Sequence, residues 1–390
     1  MVTGRRFEGA RDARRGGMLV DELSGGGNES KKNEGEMAAE TAAAPGAEGL
    51  TPHAKELAIG NAGGENDRGL TRLVRTPRED AGSGAREGVG PSTSTDRRTP
   101  LGRWCCEQLE QGNILFFPET PFAFPDEWRR FLLQQRKGES RYHKNIAYRP
   151  AEGRLTGFAS ENEDEQQRLH EILRGYSGLV VQYLAKLLPD YKERWRLDYA
   201  SFRPFEEQGR DLRVRARNDL LHTDAFPTRP TNGDRILRFF TNLNPEKPRV
   251  WVTSQTFEPL AERYAARAGL PGADARSGGA LGWLAQKGRH VAKAVHLPIT
   301  LRSAYDDFML RFHHYLKENA EFQQSCPKTR HEFPPGSSWM VFTDMVSHAV
   351  LSGQFALEQT FFVPRDAMVT PEKAPFRVLE RLCGHTVVSN

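Results

Sequence analysis

The chain has 390 residues, 37% of them hydrophobic, and 55 lysines and arginines against 51 acidic residues leave a formal net charge of +4. So small an excess lacks the basic patterning of a dedicated nucleic-acid binder, and no nucleic-acid partner is expected. Four cysteines, Cys105, Cys106, Cys326 and Cys383, show no zinc spacing, and the adjacent pair is a poor disulfide framework, so a reducing cytoplasm is the natural setting.

Residues 1–100 hold a single aromatic, Phe7, and 18 of the 36 glycines, with 15 basic and 16 acidic side chains. Such a segment cannot bury enough apolar surface to offset its ordering entropy, and it is expected to be a disordered low-complexity tail without chemistry. It shows no apolar signal-peptide region and no membrane-spanning run, and its acids argue against a transit peptide. Met18 and Met37 are candidate internal starts. Residues 101–370 suit one domain, with 371–390 expected as a C-terminal tail.

Within that domain, Trp104 to Gln111 reads as a short helix, 112–118 as the first strand and 130–137 as helix. From Glu165 to Leu188 the spacing of Leu169, Ile172, Leu173, Tyr176, Leu179, Val180, Tyr183 and Leu187 predicts a helix propped against a sheet. Residues 212–217 (Leu-Arg-Val-Arg-Ala-Arg) alternate and read as an edge strand with solvated arginines, or as a contact for acidic sugar or phosphate. His222-Thr223-Asp224 follows; one residue between the two places both side chains on the same side of an extended strand. Asn232-Gly233 is a tight-turn signal, and Arg235 to Asn244 reads as a strand ending in turn-forming asparagines.

The stretch from about 259 to 332 reads as a helical insertion between strands. Residues 281–297 mix Trp283, Leu284, Val291 and Val295 with Lys287, Arg289 and Lys293, the pattern of a basic amphipathic helix that either packs on the core or lies on an anionic membrane. In Arg302 to Lys317, the adjacent His313 and His314 point about 100° apart on a helix and cannot both face one metal, so they read as core or surface residues. Tyr305 and Asp306 on this segment are candidates to reach a substrate. Beyond 333 come a turn, a strand, His348 in a short connection, and a last strand in which Phe355, Leu357, Phe361 and Val363 share a face. Two imidazoles and one carboxylate are the donor set that holds Fe(II) with three adjacent positions open, and His222, Asp224 and His348 are candidates for it, against surface or core residues with no metal, which such a pattern more often represents.

LHTDAFPTRP, RILRFFTNLNP followed by PRVW, RSAYDDFMLRFHHYLK, FPPGSSWMVFTDMVSHAVLSGQ and LEQTFFVP occur in that order between about Trp104 and Met368. On these motifs the chain resembles the Kdo hydroxylase family, Fe(II)/2-oxoglutarate dioxygenases that hydroxylate 3-deoxy-D-manno-octulosonic acid (Kdo) at C3 in the lipid A inner core of Gram-negative bacteria. The resemblance implies a mainly β fold with flanking helices around a double-stranded β-helix (jelly-roll, cupin-like) barrel, with His222, Asp224 and His348 as iron ligands. It implies 2-oxoglutarate and O2 as cosubstrates, with ascorbate a helpful addition, and a Kdo-containing lipid A precursor as partner. A cytoplasmic protein, peripheral on the inner membrane if 281–297 binds anionic lipid, is the corresponding location.

The far carboxylate of 2-oxoglutarate needs a buried cation, best a guanidinium fork. The family's wider relatives often place one shortly after the distal histidine, but here Glu358 and Gln359 occupy that region and Arg365 lies past Pro364. Arg238, inside an apolar strand, is the first choice of anchor, against a salt-bridged or edge-exposed role; Arg203 is the second, against a surface arginine before a proline. Three functions compete: Kdo hydroxylation, the same chemistry on another sugar acid or lipid, and a non-catalytic anionic-lipid or sugar-binding protein, which would not need all three metal-binding residues.

Overall fold

Every residue of the strand Arg235–Asn242 is buried, so its alternating side chains feed two different cores. Leu237 and Phe239 join a large core shared with the helices, while Phe240 joins a small aromatic one. A continuous apolar run of this kind belongs to the middle of a sheet covered on both sides. The computed structural model describes residues 70–76, 99–135, 145–158, 162–272 and 302–389.

Eleven strands are described: β1 (Leu73–Arg75), β2 (Ile114–Phe117), β3 (Ile146–Arg149), β4 (Arg154–Thr156), β5 (Arg196–Arg203), β6 (Arg235–Asn242), β7 (Arg249–Thr256), β8 (Thr329–Phe333), β9 (Ser338–Phe342), β10 (Val346–Ser352) and β11 (Ala356–Val363). Eight form a sheet in the order β1-β2-β9-β6-β11-β5-β3-β4, and β10-β7-β8 form a second. All pairs are antiparallel except β1 with β2. The protein is mainly β with flanking helices. The two sheets meet through Phe240, Trp339 and Val341 from one side and Trp251, Phe333 and Val350 from the other. Phe333 stacks on Trp339 with centroids 3.9 Å apart, and Trp251 stands edge-on to Phe240 at 4.9 Å. Each such pair adds about 0.5–1.5 kcal/mol beyond its buried area.

The opposite face of the large sheet is covered by the 25-residue helix Glu163–Leu187, capped by the Asn162 side chain. Its buried Leu169, Ile172, Leu173, Tyr176, Val180, Leu184 and Leu187 form the stripe expected from the sequence. Helices Phe257–Tyr264 and Ala304–Glu318 bring Phe257, Leu260, Phe308 and Phe312 into the same core as Val252 and Ala349 of the small sheet.

Several boundaries differ from expectation. Leu73–Arg75, inside the stretch read as a tail, pairs with β2; residues 1–69 and 77–98, with Met18 and Met37, lie outside the described residues, as do residues 281–297. The insertion ends before Thr329, because Thr329–Phe333 is a polar edge strand paired with β7. Residues 371–390, read as a tail, carry the helix Pro375–Cys383, whose Phe376, Val378, Leu379 and Cys383 are buried. Residues 214–216 form a 3₁₀ turn rather than an edge strand, since Arg215 and Arg217 pair with Glu318 and Asp219 instead of flanking a ladder. Among the described residues no helix is long and apolar enough to cross a membrane.

Candidate metal and 2-oxo-acid site

His348 lies within β10, not in a connection, and its backbone exchanges two hydrogen bonds with His222 (His222 N to His348 O 3.1 Å, His348 N to His222 O 2.9 Å). Residues paired in this way project side chains on the same side, and the two imidazole centroids lie 4.8 Å apart. The Asp224 N–H donates to Thr343 O at 2.8 Å. That bond sets Asp224 beside His222, with Nε2 to Oδ1 3.6 Å. Gln323 fixes the preceding residue from the helical insertion, accepting from Leu221 N at 3.0 Å and donating to Leu221 O at 2.9 Å. The extended His-x-Asp arrangement read from the sequence is therefore present, held by single bridges rather than by a long strand.

Each ring is fixed through one nitrogen. Nδ1 of His222 donates to Leu220 O at 2.7 Å and Nδ1 of His348 to Val346 O at 2.9 Å, which leaves both Nε2 lone pairs free. The His348 ring stacks on Trp251 at 5.2 Å. Burial pushes the His348 imidazole down to about 3 and lowers His222, so both are neutral donors at physiological pH. Burial raises the Asp224 carboxyl, but Arg238 and the histidines outweigh it and hold the group well below the usual carboxylate range. Two neutral imidazoles beside an ionised carboxylate suit a divalent cation.

A third imidazole, His313, stands with His222 and Asp224, in a group that does not include His348. His222, Asp224 and His313 offer donor atoms all within 4.8 Å of one another, and the His313 ring stands edge-on to His222 at 4.8 Å. His313, read from the sequence as a core or surface residue, stands beside these donors. His314, one position on, keeps its place away from this group. Tyr305 and Asp306 are not at the site: Asp306 is a buried cap, accepting from Ser303, Thr231 and Asn232.

Behind Asp224 runs a buried chain of alternating charge. Arg238 donates through Nη1 to Asp224 Oδ2 at 2.7 Å and through Nη2 to Glu358 Oε1. Arg203 holds the other oxygen of Glu358 at 2.8 Å and reaches Glu207 at 3.3 Å, and Arg249 reaches Glu207 at 3.4 Å. Both candidate anchors, Arg238 and Arg203, thus converge on Glu358. Burial raises the Glu358 carboxyl, and the two guanidiniums outweigh it, bringing it down to about 2. Arg238 Nε is buried without a partner among the described residues, the kind of orphaned donor that calls for an acceptor from a ligand. Asn242 and Asn244 are turn formers as expected, with Asn244 Oδ1 accepting from Glu246 and Lys247.

The family model described as 3-deoxy-D-manno-oct-2-ulosonic acid (Kdo) hydroxylase matches residues 93–386. Solved structures of the Kdo hydroxylase KdoO, a non-heme Fe(II) alphaketoglutarate dependent dioxygenase, are similar at 34% identity over 74% of this chain and 92% of that one. The complex with alphaketoglutarate and Fe(III) gives a TM-score of 0.63, the cobalt(II) complex 0.64, and the complex with succinate and Fe(III) 0.63. No curated protein matches the chain.

Proposed function

Because this chain belongs to the Kdo hydroxylase family, we propose that it hydroxylates Kdo at C3 in the lipid A inner core, using Fe(II), 2-oxoglutarate and O2. The observation that carries this reading is the group of neutral imidazoles around the ionised Asp224, backed by a buried arginine chain. His222, Asp224 and His348 hold the metal, with their backbone-tied Nδ1 atoms and the Arg238 bond fixing which donor atoms face it. When bound, the iron supplies the oxidising chemistry: a sugar C–H, 2-oxoglutarate and O2 become C–OH, succinate and CO2. The two facing sheets are then a jelly roll with the metal between them.

Charge supports Arg238 as the 2-oxoglutarate anchor. Arg238, Arg203, Arg249 and Arg210 face three carboxylates, Asp224, Glu358 and Glu207. A divalent metal on Asp224 adds to that positive excess, which a dicarboxylate offsets. Arg238 stands next to Asp224, and its Nε, like that of Arg249, has no partner among the described residues; Arg203, one residue further along the chain, is the alternative. Arg238 also orients Asp224, so the two roles reside in one side chain.

Succinate release from 2-oxoglutarate under air with Fe(II) and ascorbate tests the reading. Faster release with Kdo-lipid A than with lipid A lacking Kdo is expected; equal rates would redirect the chemistry to another sugar acid or lipid. A protein that binds no Fe(II) would instead be the non-catalytic binder. On the proposed substrate the protein works in the cytoplasm of a Gram-negative cell, at the inner face of the membrane that carries the lipid.

A further inference from the structure

The small sheet packs on Phe240, Trp339 and Val341 of the large one, and the same face continues past Arg238 toward β11, β5 and β3. Arg238 stands opposite Thr360, and Phe362 follows Thr360 on that face. Beside them β5 bulges, so that Asp198 and Tyr199 together stand against Thr360 alone. A bulge re-aims the side chains around it, and this one sets Tyr199 among arginines. Arg149 lies over the Tyr199 ring at 4.8 Å, and Arg229 lies over Tyr199 at 4.1 Å and over Phe226 at 4.0 Å. Arg196 lies over Phe362 at 5.1 Å, and Phe362 meets Phe226 edge-on at 6.1 Å. One arginine on a ring is common packing. Here four such contacts converge on one face, and Phe226 is only two residues beyond Asp224.

Arg229 stands apart from its neighbours. Arg149 is engaged by Glu152 and Thr156, and Arg196 is 59% exposed. The Arg229 side chain is 25% exposed, two rings fix its plane, and among the described residues Asp198 is its one acceptor. A guanidinium has five N–H donors, so its fork keeps donors for a ligand. We propose that Arg229, stacked on Tyr199 and Phe226, receives the carboxylate of the sugar acid and so sets which carbon of that sugar faces the metal. The inference rests on the Kdo reading above and adds the residue that recognises the acid group. A guanidinium of fixed plane matches a carboxylate bidentately, and prior stacking lowers the cost of ordering it. The phosphates of lipid A are oxyanions too, but they belong to a different sugar from the one oxidised and lie further from the metal.

Anaerobic titration of the Fe(II) and 2-oxoglutarate form with Kdo-lipid A, followed by its visible absorption, reads substrate affinity without turnover. Arg229→Gln is expected to weaken that affinity at least about tenfold. Arg229→Lys, which keeps a charge for Asp198 but loses the fork, is expected to do nearly the same. The same titration with the Kdo methyl ester of the lipid separates recognition from support. Esterification is expected to weaken wild type by a similar factor and to leave Arg229→Gln and Arg229→Lys almost unchanged, because both alterations remove one contact. Losses that multiply, or wild-type affinity in Arg229→Gln, would overturn the proposal and leave Arg229 as a prop for Asp198. If removal of the lipid's phosphates, rather than esterification, is the change that costs the variants nothing, the carboxylate assignment falls. No response of the wild-type protein to Kdo-lipid A would instead overturn the Kdo reading, and the inference with it.

Discussion

Glu358 serves two buried guanidiniums with its two oxygens, Arg203 on one and Arg238 on the other. Breaking a buried ion pair from one side costs about 3–5 kcal/mol, because the surviving charge has lost its partner in a place water does not reach. Glu358→Gln is therefore expected to lower unfolding stability by about that amount in denaturant titrations, and a loss well under about 1 kcal/mol would show that the chain tolerates the gap. From the sequence this residue read only as the absence of an expected cation. Its role depends on the register that sets Glu358 opposite Ser201 on β5 and Phe240 on β6, and no local pattern encodes that register. That His222, Asp224 and His348 come together was legible, because a His-x-Asp pair and a distant strand histidine suggest it by their spacing. That His313 would stand beside His222 was not, because adjacent histidines on an amphipathic helix say nothing of which strand the helix will meet.

The strand Leu73–Arg75 is an element that composition concealed. Arg72 O accepts from Ile114 N at 2.8 Å, Thr76 N donates to Phe116 O at 3.0 Å, and Thr71 N donates to Ser254 O at 3.4 Å, so this short segment reaches both sheets. Deleting residues 1–69 removes none of these bonds, whereas deleting 1–98 removes all of them and bares the edge of β2. With backbone hydrogen bonds worth about 1 kcal/mol each, the longer truncation is expected to lose about 1–3 kcal/mol by thermal or denaturant unfolding and the shorter one to match the full chain. Equal stability of the two would show that the strand adds nothing. Strong periodicity made the helix Glu163–Leu187 and the strands β6, β9 and β11 readable. The polar strand β8 (Thr-Arg-His-Glu-Phe) was absorbed into the insertion, because an edge strand needs an apolar face only where it touches the core. The C-terminal helix escaped for a different reason: nine residues after a proline carry too little pattern to separate them from a tail.

For the molecule as a whole, acid acts through two windows. Burial pushes His331, in the small sheet, down to about 4. With an unfolded value near 6.5, the unfolded chain takes the proton first, so stability falls as pH drops from about 6.5 to about 4, by at most about 3 kcal/mol from this group. Glu358, at about 2 in the folded protein and near 4.3 unfolded, contributes stability that is complete above the unfolded value and is lost as pH falls toward about 2. Denaturant midpoints measured against pH should accordingly show a shallower slope between about 6.5 and 4 for His331→Asn, and a shallower slope below that for Glu358→Gln. Parallel slopes for wild type and variant would contradict the assignment.

Mass spectrometry of Kdo-lipid A after incubation with the protein, Fe(II), 2-oxoglutarate, ascorbate and air, beside His222→Ala, tests the central claim most directly. The expected result is the gain of one oxygen on Kdo, absent without 2-oxoglutarate and absent in the variant. An unchanged Kdo mass while iron is bound and succinate still forms would contradict Kdo as the substrate.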